Sequence, residues 1–61
     1  MPVIILKQKK GLTRDQKRRI VKEFTKTLVS VTGVNKDLVT ILIEEKELED
    51  IGKGGTLRCD P

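Results

Sequence analysis

The chemistry open to this chain is narrow, and what its residue types exclude is as informative as what they allow. With no histidine, neither a Ser–His–Asp triad nor a histidine general base can be assembled. One cysteine and no histidine leave no zinc constellation, no spaced aspartates suggest a calcium loop, and no metal or cofactor is expected. Cys59 beside Arg58 has the context of a mildly activated thiol, but close to the C-terminus it reads as an ordinary free thiol. The glycine run Ile51-Gly52-Lys53-Gly54-Gly55 does not lie between a strand and a helix with Lys-Ser/Thr behind it, so backbone turn geometry explains it better than phosphate binding. The remaining candidate is Pro2. If the initiator Met1 is removed, Pro2 carries a free secondary amine, which is a base. With Met1 attached its nitrogen is a tertiary amide and is not. An α-amino group titrates near ~8, and an apolar pocket or nearby cations such as Lys7, Lys9 and Lys10 would lower that value toward neutrality.

Such an amine must be positioned by a chain of only 61 residues and 6.9 kDa, one domain spanning residues 1–61. Surface scaling for this mass has folding hide roughly 6,000 Å², about 3,600 Å² of it apolar. At ~25 cal/mol per Å² that burial is worth about 90 kcal/mol, and ordering the chain costs about the same. The isolated subunit comes out near zero. Without a disulfide or a metal, association with further copies is the expected source of stability.

Charge points the same way. Residues 1–26 hold nine basic and two acidic side chains, and residues 27–61 hold four basic and seven acidic ones. The formal net charge of +4 is therefore a sequence dipole of +7 and −3. Glu44, Glu45, Glu47, Glu49 and Asp50 would repel phosphates, and Phe24 is the only aromatic available for base stacking. No nucleic-acid partner is expected; a nucleic-acid binder would instead show salt-sensitive retention. No run approaches the ~18 apolar residues of a membrane span, and no signal peptide is visible, so the expected setting is the cytoplasm with no membrane partner.

The elements read as strand, helix, strand. Val3-Ile4-Ile5-Leu6 is a strand ended by the polar run Lys7 to Gly11. Thr13 and Gln16 form a capping box, and Ile20, Phe24, Leu28 and Val31, with Val21 alongside, recur at helical spacing up to Gly33. After turn residues Asn35, Lys36 and Asp37, Val39-Thr40-Ile41-Leu42-Ile43 reads as a second strand with Leu38 and Leu42 on its other parity. The crossover rule makes the strands parallel, with the helix over one face and the other left for another subunit. Beyond Glu45 a short hairpin is expected, ending at Thr56-Leu57-Arg58.

These features together resemble the 4-oxalocrotonate tautomerase family over nearly the whole chain. The resemblance rests on Met1-Pro2-Val3, on Gly11, Thr13 and Asp15-Gln16-Lys17, on Val39 through Glu45, and on Gly52-Lys53-Gly54-Gly55. It implies an α+β fold: a β-α-β tautomerase-type subunit with a short C-terminal hairpin, paired into dimers, three of which make a homohexamer. It also implies that Pro2 shuttles a proton between the enol and keto forms of a small 2-hydroxy/2-oxo acid. The chain departs from the family at the pocket. An arginine after the first-turn glycine is replaced by Leu12, a second in strand two by Thr40, and a phenylalanine near the hairpin by Ile51. The arginines clamp a substrate carboxylate, so Leu12, Thr40 and Ile51 are the expected pocket positions. Lys9 is the candidate replacement cation, with Arg14, Lys36 and Lys46 as others. A lysine would act as a point charge without the bidentate fork. Loss of both arginines also leaves open a non-catalytic oligomeric assembly module on the same fold.

Overall fold

The computed structural model describes all 61 residues. Strand β1 (Val3–Lys9) leads into helix α1 (Arg14–Thr32), then a 3-10 turn (Lys36–Leu38) and strand β2 (Thr40–Lys46). A second 3-10 turn (Leu48–Asp50) precedes the hairpin β3 (Gly52–Lys53) and β4 (Thr56–Leu57). The strands β1 and β2 are parallel, in register from Val3↔Thr40 to Lys9↔Lys46, and β3 and β4 are antiparallel. The expected β-α-β subunit with its C-terminal hairpin is therefore the observed one.

The strand boundaries differ from the sequence reading, and β2 ends at Lys46 instead of Ile43. Strand β1 does not stop at Leu6 but continues through Lys7-Gln8-Lys9, because ladder bonds use only the backbone and one face of the sheet is open to water. The ladder even runs on to Lys10, whose N–H donates to the Lys46 carbonyl at 2.8 Å. Gly11, at φ +139°, then turns the chain out of the strand. Strand β2 starts later than expected. Leu38 is drawn into the 3-10 turn, where the Asp37 N–H donates to Asn35 Oδ1 at 2.9 Å, and Val39 ends that turn by donating to the Lys36 carbonyl.

Helix α1 is closed at both ends as expected. The Gln16 N–H donates to Thr13 Oγ1 at 3.1 Å and the Thr13 N–H donates to Gln16 Oε1 at 2.9 Å, which satisfies two otherwise orphaned donors. Gly33 adopts φ +76°, and its N–H donates to the Val29 carbonyl at 2.9 Å.

The sheet has two unequal faces. Ile4, Leu6 and Gln8 of β1, with their partners Ile41, Ile43 and Glu45 of β2, face the helix and are half-buried. Val3, Ile5, Lys7 and Lys9, with Thr40, Leu42, Glu44 and Lys46, face away. Ile20, Leu28 and Val29 cover the inner face, whereas Phe24 remains 41% exposed and Val31 78% exposed. No residue is fully buried. The accessible surface of 5169 Å² exceeds by about 1,200 Å² that of a compact chain of this mass. The radius of gyration of 14.9 Å likewise exceeds the roughly 10.5 Å of a compact chain of this length. The subunit thus hides less surface than its mass alone implied, and its apolar residues lack a common interior.

Candidate active site

Because β1 and β2 are parallel, both begin at the same end of the sheet. Pro2 lies just ahead of the Val3↔Thr40 rung, half-buried, and its carbonyl accepts the Thr40 N–H at 3.0 Å. That bond fixes the start of the chain beside the start of β2, with Met1 89% exposed beyond it. Pro2 and Thr40 are therefore brought together within one chain.

Lys9, Leu12 and Ile51 are not. Lys9 is seven residues along β1 from Pro2, roughly 20 Å or more at strand rise. Leu12 belongs to the turn that follows, and Ile51 comes after the far end of β2, where its carbonyl accepts the Arg58 N–H at 2.8 Å. Among the other cations considered, Lys36 is at the Pro2 end but lies along the helix beside Lys22 and Lys26, while Arg14 opens the helix at the Leu12 end. Lys46 lies opposite Lys9. Sequence reasoning thus names residues that fall into two groups at opposite ends of one sheet.

The far end is built around a residue that sequence reasoning placed in an acidic run and at the end of strand two, with no role in the site. Glu45 accepts the Gly11 N–H at 2.8 Å and the Leu12 N–H at 3.2 Å on Oε2, and pairs with Lys17 of α1 through Oε1. One carboxylate thereby joins strand β2, the β1–α1 turn and the helix. The Lys17 bond foremost, then the Gly11 N–H, with a smaller contribution from the Leu12 N–H, hold its pKa down to about 2 against the opposing effect of desolvation. Its signal in the sequence was parity, since Glu45 continues the inward-facing series Ile41 and Ile43, where a carboxylate requires partners.

The concavities of the single subunit are shallow. The largest, about 480 Å³, is lined only by charged helix residues, among them the surface pairs Arg18–Asp15 and Arg19–Glu23, with no hydrophobic residue in its wall. An apolar groove of about 440 Å³ runs between β1 and α1, lined by Ile4, Phe24, Thr27, Leu28 and Val31. Neither contains Pro2.

This architecture is that of the 4-oxalocrotonate tautomerases. The structure of YwhB, a homologue of 4-oxalocrotonate tautomerase, superposes with a TM-score of 0.91 at 27% identity, covering 98% of each chain. A second homologue, TTHB242, shares the fold at a TM-score of 0.93 and 23% identity, over 100% of this chain and 97% of its own. Curated relatives include a probable tautomerase of Staphylococcus saprophyticus, 32% identical over 60 residues, and one of Listeria monocytogenes, 30% identical over 60 residues, each covering 98% of both chains. The model of the tautomerase enzyme family matches residues 2–58. The chain belongs to the tautomerase family.

Proposed function

We propose that this chain is a cofactor-independent keto–enol tautomerase of small 2-hydroxy/2-oxo acids, with Pro2 as its acid–base group once Met1 is removed. In ketonisation the prolyl nitrogen takes the enol hydroxyl proton as the C=O bond forms. The electron pair of the C=C bond then collects that proton from the ammonium, and the carbon gains it. One group acts as base and then as acid, so its pKa must lie near ambient pH. Family membership supports the reaction class. The observation that carries the site is the separation of Pro2 and Thr40 from Lys9, Leu12 and Ile51 along the sheet, in a subunit with no buried core.

A pocket using all five residues is therefore assembled from several copies, in keeping with a hexamer of three dimers. In it Leu12 and Ile51 of neighbouring copies supply apolar walls, Thr40 flanks Pro2, and Lys9 supplies positive charge. Such walls favour the neutral amine. The test uses phenylenolpyruvate with protein shown by intact mass to lack Met1. Turnover by the native protein that is lost in Pro2→Ala is the expected result, and no turnover by the methionine-free protein overturns it. A second reading, a non-catalytic assembly module, is favoured by Leu12 and Thr40 standing at the family's arginine positions, and predicts that second outcome with a native oligomer.

A further inference from the structure

Lys9 and Lys46 are register partners on the last rung of the parallel ladder, on the sheet face turned away from the helix. Neighbouring strands lie roughly 4.8 Å apart, so two ammonium-bearing side chains rise side by side from one surface. Like charges so placed repel. No acid forms an ion pair with either of them. Glu47 pairs with Lys10 at 3.1 Å, Glu45 is turned inward to Lys17, and Glu44 stands two rungs back on the same face, opposite Lys7. Neither Lys9 nor Lys46 has an ion-pair partner in the subunit, and the rung keeps an excess of two positive charges.

We propose that Lys9 and Lys46 act together as the carboxylate-binding element for the substrate, each ammonium taking one carboxylate oxygen. This inference rests on the tautomerase reading above. The rung lies roughly 20 Å or more along its own sheet from Pro2, so it serves the Pro2 of another copy. The substrate class follows: an anionic acid whose carboxylate is held by two separate point charges. That grip tolerates more ways of placing the acid than a planar guanidinium fork does.

The test has two arms. In the first, calorimetry at low salt measures binding of 3-phenylpropanoate, an unreactive carboxylate, and of neutral 3-phenylpropanol to the native oligomer. Lys9→Gln and Lys46→Gln should each weaken the carboxylate on the order of 10-fold and leave the alcohol unchanged. In the second, the same variants should raise KM for phenylenolpyruvate with little change in kcat at the pH optimum, while loss of a pocket cation moves the acid limb of the pH–rate profile to higher pH. Unchanged carboxylate affinity in both variants, or no measurable carboxylate binding to the native protein, overturns the lysine pair even if Pro2-dependent turnover persists. Lysine-dependent binding without any turnover overturns the tautomerase reading and upholds the pair as an anion site.

Discussion

If the outer face of the sheet is covered by further copies, a charge placed at its centre must break the assembly. Leu42 and its rung partner Ile5 are 46% and 53% exposed, so about half of each side chain remains to be hidden. Fully burying such a side chain contributes about 1.5–3 kcal/mol, which leaves roughly 1 kcal/mol per residue for assembly. Leu42→Lys forfeits that share and adds the several kcal/mol needed to desolvate an ammonium with no partner. The combined penalty, roughly 4 kcal/mol or more per copy, weakens association on the order of 1,000-fold at 1.4 kcal/mol per decade. Light scattering coupled to size exclusion reads the mass, and far-UV circular dichroism reads the fold at the same concentrations. The native protein should run as an oligomer at micromolar concentration, and Leu42→Lys should run smaller or lose its secondary structure on dilution. A native protein that stays a folded monomer, or a variant that assembles as the native does, refutes the argument.

Four further outcomes follow from named contacts. Glu45 has a folded pKa depressed to about 2, so its contribution to stability is full above the unfolded value of 4.5 and is lost as pH falls toward 2; thermal melts across that window should drop less steeply in Glu45→Gln than in the native protein. Gly33→Ala meets no steric obstacle, yet it places a Cβ at φ +76°, so denaturant melts should show a loss of about 1–2 kcal/mol that is purely conformational. Lys46→Gln removes a like-charge neighbour of Lys9, and the same melts should show a gain of a few tenths of a kcal/mol up to about 1. Leu12→Arg brings a cation into the proposed pocket, which disfavours protonation of Pro2, so the acid limb of the pH–rate profile should move to lower pH.

The fold was legible because its signals are local. Thr13 with Gln16 marked one end of the helix and Gly33 the other, and two β-branched runs about forty residues apart left one right-handed crossover. The strand ends were less legible because pairing, not side-chain type, decides them. Lys7-Gln8-Lys9 carries little strand propensity but gains ladder bonds from Glu44-Glu45-Lys46, and Leu38 was claimed by the Asn35 turn. Of the candidate site, the proximity of Pro2 and Thr40 follows from parallel pairing alone. The Glu45 latch was missed because two of its three partners are backbone N–H groups, which leave no mark on residue identity, and the third, Lys17, is far from it in sequence. The Lys9–Lys46 rung was hidden for a related reason: two lysines far apart in sequence become neighbours only once the register is known.

Under the proposed function, assembly and chemistry are one requirement. A parallel β-α-β unit gathers both strand starts at one end and sends the crossover turn to the other, so no rearrangement within a single subunit brings the Leu12 turn to Pro2 without dissolving the ladder. As the proposed acid–base group, the Pro2 amine would need apolar neighbours to remain partly unprotonated near neutral pH, and one subunit, with no fully buried residue, does not supply them. In the proposed assembly, outer-face residues that meet neighbouring copies, such as Ile5 and Leu42, would therefore act on the proton chemistry of Pro2 without touching substrate. The proposed lysine rung extends the same logic, since charges that repel within one copy would become useful once that copy is set against the terminus of the next.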